Sequence, residues 1–391
     1  MAFSINPGGQ VSPEETLGRD ELITELWGIL SAQSIYMNDL RRIGKTQIMK
    51  KMNAQPRAGW ASVYRDVSSC TTAAEFATLA YRLSAEMLSG TQRNLRRMGN
   101  LLGKMAGAEI AGILKLPDGS AVPWKEVLSR TFADIDEAMV ARGDEAKMVF
   151  FWDEIPYLIG KIAKNDSPAV AMDVLDVLRA LGQDHDRVRL FLSGSIGLHH
   201  VLHSLRQNGY NGSPLNRMAK AQPGPLAAPE SETLARGLME GSGRKFEDVD
   251  ACVTALTSAV GHVPFYIHKL VSRLPKDQSL TPQLIESTLD REIRSDQNDW
   301  DLQHYRNRID RYYEGSQKIV LAILDTVAVG QPMNLAAILK DLASQMDADQ
   351  ERVRRLLKLL CLDHYLMRDE ANRYRFYLDI IRRWWRLERD L

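Results

Sequence analysis

The sequence predicts an α/β chain: a parallel sheet with helical crossovers, then an all-helical stretch, then three helices and a two-stranded wing. Three observations carry this. Short apolar runs alternate with stretches of helical periodicity between residues 20 and 195, the pattern of strands joined by crossover helices. Met148-Val149-Phe150-Phe151-Trp152 is apolar at five consecutive positions, as a strand buried on both faces of a parallel sheet must be. After Pro223-Gly224-Pro225 the strand-like runs give way to helical patterning as far as the C-terminal module.

Taken in order, residues 1–17 carry Pro7, Gly8, Gly9 and Pro13 and read as an irregular leader. Leu22, Ile23, Leu26 and Ile29 recur at helical spacing over 21–29. A short strand, 34–37, leads into a loop and a second helix over 47–52. Residues 60–67 form a strand, 73–88 a helix, and 124–141 an amphipathic helix. Between them, residues 89–123 read as a partly helical insertion, weakened by Gly99, Gly103, Gly107 and Gly112. The strand 148–152, helix 168–182 and strand 188–192 complete the sheet region. From 229 to about 314 the pattern is helical, broken at Gly241–Gly243 and Gly261–Pro264. Helices over 316–328, 333–343 and 348–361 then precede strands 365–367 and 374–377 about the polar turn Asp369-Glu370-Ala371-Asn372, the outline of a winged helix. The expected domains are a core over 1–222, a helical lid and linker over 223–314, and a winged-helix domain over 315–391.

Composition narrows the function. Fifty basic residues balance fifty acidic ones, so bulk charge does not mark a polyanion binder, although a local basic patch stays open. Three distant cysteines, Cys70, Cys252 and Cys361, exclude a disulfide scaffold and fit a reducing cytoplasm. No apolar run approaches the roughly 18 residues of a membrane span, and the N-terminal residues lack the basic start and apolar core of a secretory signal. A cytoplasmic protein without a membrane partner is expected.

The chemistry concentrates in three places. Asp39-Leu40-Arg41-Arg42-Ile43-Gly44-Lys45-Thr46 matches the phosphate-binding (Walker A) pattern G-x-x-x-x-G-K-[ST] except at its first position. In that pattern, loop and helix-terminal amides point at phosphate oxygens. Gly44 permits the close backbone approach, Lys45 supplies the ammonium and Thr46 the hydroxyl for Mg²⁺; Arg41, Arg42, Ile43 and Gln47 complete the loop. Asp39 in place of glycine puts a carboxylate near a polyanion, and aspartate tolerates left-handed angles better than most residues. A basic strand–helix turn with an accidental Gly-Lys-Thr is the plainer alternative. The second place is Asp153-Glu154, ending the apolar run in the manner of a Walker B strand: one acid for the Mg²⁺ shell, one to polarise the attacking water. Two solvated acids after a buried strand would look the same. The third is Ser193-Gly194-Ser195, where a serine could contact a γ-phosphate or merely cap a helix. Arg217 is a candidate charge-stabilising arginine offered to a neighbouring subunit, or an ordinary surface residue. Asp66 is similarly ambiguous. His199 and His203 have the i,i+4 spacing of a metal pair but no matching carboxylates.

With Gly18-Arg19-Asp20-Glu21-Leu22, Arg41-Arg42-Ile43-Gly44-Lys45-Thr46, Phe151-Trp152-Asp153-Glu154, Ser193-Gly194-Ser195, Gly261-His262-Val263-Pro264-Phe265-Tyr266 and Tyr374-Arg375-Phe376-Tyr377-Leu378-Asp379, the chain resembles the archaeal-type ATPases. These belong to the signal-transducing (STAND) branch of the AAA-like P-loop proteins and are relatives of replication initiators. The resemblance covers about residues 16–390. It implies a P-loop core, a helical lid and a C-terminal winged helix, with ATP and Mg²⁺ bound and hydrolysed. It also implies that Gly18 and Arg19 lie against adenine, that Lys45 and Thr46 bind phosphates and metal, and that Asp153 joins the metal shell. Glu154 would be the catalytic carboxylate, Ser193 or Ser195 the sensor, and Pro264 would close over the base. Asp39 and the spacing of Gly261 from Pro264 depart from the family pattern.

Between residues 351 and 391, eleven basic residues face seven acidic ones. Arg352, Arg355 and Lys358 lie off the apolar stripe of their helix, which is compatible with duplex DNA contact, with a solvated face, or with docking to a protein. Ile380, Ile381, Trp384 and Trp385 read as core anchors. The resulting expectation is an ATP-dependent switch that recruits a partner, with a nucleotide-dependent oligomer if Arg217 acts in trans. The alternatives are a DNA-engaging ATPase of the initiator or loader type and a non-hydrolysing scaffold.

Overall fold

The computed structural model describes residues 3–9, 11–88, 123–194, 197–295, 299–347 and 349–391; the insertion expected over 89–123 falls, save for Pro123, outside them. The chain forms two compact units. One comprises Asp20–Asn38 and Lys45–Pro223; the other comprises Met1–Arg19, Asp39–Gly44 and Gly224–Leu391.

The first unit is a five-stranded sheet with helices on both faces. Its elements are α1 (Asp20–Ala32), β1 (Ile35–Asn38), α2 (Lys45–Ala54), β2 (Trp60–Asp66), α3 (Ala73–Leu88), α4 (Trp124–Arg142), β3 (Lys147–Asp153), α5 (Ile155–Asn165), α6 (Pro168–Asp184), β4 (Val188–Gly194), α7 (Leu198–Gln207) and β5 (Ala219–Ala221). The strand order is β2-β3-β4-β1-β5, and every pair is parallel. Side-chain alternation explains why β3 has no polar face. Met148, Phe150 and Trp152 enter the core under α3 to α7, whereas Val149 and Phe151 enter the opposite core with Leu26, Trp27, Ile48 and Met49 of α1 and α2. Phe150 and Trp152 stack at 4.8 Å. The helix α6 starts as its sequence dictates: Ser167 Oγ accepts from Val170 N–H, with Pro168 in the first turn.

The second unit holds the helices α8 (Ala228–Gly241), α9 (Val249–Ala259), α10 (Pro264–Arg273), α11 (Pro282–Ile293) and α12 (Gln303–Tyr312). These precede α13 (Gln317–Gly330), α14 (Leu335–Ala343), α15 (Gln350–Leu362), β6 (Leu366–Arg368), β7 (Tyr374–Phe376) and α16 (Asp379–Glu388). The strands β6 and β7 pair antiparallel, and Met333 adds a bridge to Tyr374, so α13 to α15 with this wing have the form of a winged helix. One apolar cluster runs through the unit, joining Leu256, Ile267 and Ile285 to Val320, Leu357 and Trp385. Ile380, Ile381, Trp384 and Trp385 are the buried face of α16. Trp385 also donates from Nε1 to Asp325.

The irregular leader is packed rather than loose. Phe3, Ile5 and Leu17 lie against the same cluster, and the Asn6 amide donates to His268 Nδ1 at 3.2 Å. That bond needs an unprotonated Nδ1. Burial depresses His268 to about 4, against a weaker opposing pull from Glu15, and burial first of all takes His304 to about 4 as well. Both folded values lie below the ordinary 6.5, so unfolding takes up protons between about pH 4 and 6.5. Stability is fully present above that window and is lost as pH falls through it. The expected slope is at most on the order of 1 kcal/mol per pH unit for each of these part-buried histidines, checked by urea titrations at pH 7.5, 6 and 5. His268→Gln should flatten the dependence.

Candidate functional site

In the sheet unit, the carboxyl ends of β3 and β4 and the start of α2 converge, the place where open parallel sheets hold ligands. Thr46, in the first turn of α2, donates from Oγ1 to Asp153 Oδ2 at 2.6 Å. Ser193, on β4, donates to Asp153 Oδ1. The Glu154 amide reaches the same oxygen at 3.0 Å, and Tyr64 Oη reaches Oδ2 at 3.4 Å. Four donors thus surround a carboxylate in a residue 3% exposed, as a buried anion requires. Lys45 is buried at the first residue of α2, and Gln47 follows in the same turn. Glu154 adopts a left-handed φ of 64° at the N-terminus of α5 and does not cap that helix with its side chain.

Tyr64 is missing from the sequence reading. Its hydroxyl is pushed above the ordinary tyrosine range, first by burial and then by the charges of Asp153 and Asp66, so it stays a neutral donor. Alternation in β2 contains a signal for it, because Tyr64 sits opposite Phe151 and two positions before the strand end. Asp66 is exposed and accepts from the Ser68 amide in a local turn at the end of β2. Ser195 lies outside the described residues. Arg217 is exposed just before β5, off the amino end of the sheet whose carboxyl end carries Asp153. It lines a cavity of about 510 Å³ with Arg179, Arg189, Leu190 and Leu215.

The second unit contains the first six residues of the loop. Its turn is made by Arg42 and Gly44, at φ 69° and 99°, while Asp39 is not among the residues with positive φ. Glycine at 44 is required by that angle, since an added Cβ would meet open space. Arg41 Nε and Arg42 Nε each lie 2.8 Å from Asp301 Oδ2, and Arg42 also stacks on Phe265. Ile43 is buried in the apolar cluster. Arg19 is 5% exposed and donates to Ile43 O at 3.2 Å and Gly224 O at 2.7 Å. Gly18, at φ 63°, lies so close to Glu230 that a Cβ would sit 2.6 Å from it. Pro264 opens α10, next to Phe265. Asp301 is the counter-charge that the sequence reading lacked, and nothing local in the sequence announces it.

Part of the C-terminal basic excess is paired inside the unit. Arg383 pairs with Glu286 and Asp290, Arg389 with Asp325, and Arg354, Arg373 and Arg382 with acids three or four residues away. Arg352 donates to Ser316 Oγ and to the Gly315 carbonyl. Arg355 and Lys358 are exposed and make no ion pair among the described residues.

No family model matches the sequence, and no curated protein matches it. Solved structures do match its fold. A Walker-type ATPase of Pyrococcus abyssi superposes with a TM-score of 0.64 at 16% identity, covering 98% of this chain and 99% of that one. The ORC2 protein of Aeropyrum pernix, in ADPNP and ADP complexes, superposes with a TM-score of 0.50 at 11% identity and 95% coverage of both chains. What the chain shares with these two ATPases is the fold: an α/β core with a parallel sheet, a helical lid and a C-terminal winged helix. Among the described residues no helix is long and apolar enough to cross a membrane.

Proposed function

We propose that the chain is an ATP-binding P-loop switch of the STAND type that hydrolyses ATP slowly with Mg²⁺ and couples nucleotide state to partner recruitment. The observation that supports this best is the 2.6 Å approach of Thr46 Oγ1 to Asp153 Oδ2. Two hard oxygen donors from the loop helix and the acidic strand meet there, which is the donor set Mg²⁺ takes. The residues fit the ion: Thr46 would ligate it and Asp153 would hold its water shell. When bound, Mg²⁺ supplies charge neutralisation across the β- and γ-phosphates.

The protein's own groups then divide the work. The amides at the start of α2 and the Lys45 ammonium receive the phosphate oxygens. Ser193, hydrogen-bonded to Asp153, registers the γ-phosphate on this reading. Glu154 orients the attacking water and draws off its proton. Arg19 supports the loop by holding the Ile43 and Gly224 carbonyls. For Glu154→Gln, phosphate release should slow by about 100-fold or more with ATP affinity close to wild type. Turnover equal to wild type would remove Glu154 from this role.

A further inference from the structure

We propose that Asp39 is a positioning residue that fastens the start of the phosphate loop to His364 at the base of the wing, so that nucleotide at the loop is sensed by residues 363–378. This rests on the assignment of residues 39–46 as the phosphate site, and it deepens that assignment by naming how the site is regulated.

A carboxylate facing a triphosphate would oppose binding, yet Asp39 does not stand as one. Its side chain is fully buried. Oδ1 accepts from the Leu40 amide at 2.6 Å, and Oδ2 accepts from the Gly224 amide at 2.7 Å. His364 Nδ1 also approaches, 4.0 Å from Oδ1. The Arg19 guanidinium feels the same charge. The anion is therefore aimed into the unit of the lid and winged helix, where these amides and His364 meet it.

His364 is an expensive choice for its position. It ends α15 in a left-handed conformation, φ 59°, with its amide bonded to Cys361 O and the Tyr365 amide to Leu360 O. Glycine is the usual residue at such a helix end, and a side chain there costs about 1 kcal/mol. The imidazole is what the position gains. It stands edge-on to Tyr377, with ring centroids 5.4 Å apart. The Tyr377 hydroxyl is pushed up to about 12, by burial first and by the Asp39 charge second. Asp39, His364 and Tyr377 thus form one electrostatic cluster joining the loop to both ends of the wing. Asp301 reinforces the clamp by holding Arg41 and Arg42. Any shift in the loop backbone on phosphate binding must displace the Asp39 carboxylate, and His364 is the wing residue that faces it.

The test is hydrogen exchange of residues 363–378 in the full chain, without nucleotide and with saturating Mg·ATP, for wild type, Asp39→Asn and His364→Gln. In wild type, ATP should change the exchange rate of this segment by about threefold or more. Both variants should lose that difference. A purely structural role would speed exchange in both states and preserve the ATP-dependent change, which would overturn the proposal. So would a wild-type segment indifferent to ATP while ATP binding, dependent on Lys45, is measured in the same sample. Absence of ATP binding to wild type would instead overturn the assignment of the phosphate site itself.

Discussion

Lys45→Ala should lower ATP affinity by about 10- to 150-fold while leaving the fold intact. Lys45 opens α2 and is 7% exposed, so on the proposed reading its ammonium would meet phosphate in a poorly screened environment. Hydrogen bonds to charged groups contribute about 1.5–3 kcal/mol, and each 1.4 kcal/mol is tenfold in Kd. Alanine is the best helix former, so α2 should persist and the denaturation midpoint should barely move. Titration calorimetry with ATP, on wild type and variant, reads the effect. Equal affinities would remove the lysine from the site.

The largest loss of stability should come from Asp363→Ala. The Asp363 side chain is fully buried, 3.0 Å from Arg308 Nη2, and it accepts the Tyr313 hydroxyl. Burial alone would lower Arg308, but Asp363 and the surrounding tyrosines override it and hold the guanidinium above its ordinary value. Removing the carboxylate strands a buried cation and a buried phenol, a change that costs about 3–5 kcal/mol. Urea denaturation should show it, and the double variant Asp363→Ala, Arg308→Met should recover part of the loss. A single variant as stable as wild type would mean that solvent reaches Arg308. Because Asp363 precedes His364, the same pair also holds the residue that faces Asp39.

The sheet was legible because its strands are short, contiguous apolar runs. Met148–Trp152 has no alternation to mistake for a half-exposed strand, and the acidic pair after it marks the strand end. The meeting of Thr46 with Asp153 was legible for a related reason. Both residues lie at points where helix or strand termini fix the backbone, so sequence position translates into spatial position. The helical lid and the wing were visible from periodicity and from the turn Asp369–Asn372. What escaped the sequence was long-range charge. Asp39 looked like an obstacle to phosphate because Gly224, whose amide it accepts, and His364, which lies beside it, are far along the chain. Arg41 and Arg42 looked free to bind nucleotide because Asp301 is equally remote. The partners of Arg383 and Arg389 were also hidden, since Glu286, Asp290 and Asp325 lie outside the counted segment. The leader read as irregular because it has no periodicity. Its apolar side chains nonetheless contribute to the core of the second unit.

A crystal structure with Mg²⁺ and a non-hydrolysable ATP analogue tests the central claim most directly. The account predicts the β- and γ-phosphates on the amides at the start of α2, the metal about 2.1 Å from Thr46 Oγ1, and Asp153 reaching it through water. Phosphates bound elsewhere, or a metal that touches neither Thr46 nor the Asp153 water shell, would contradict it.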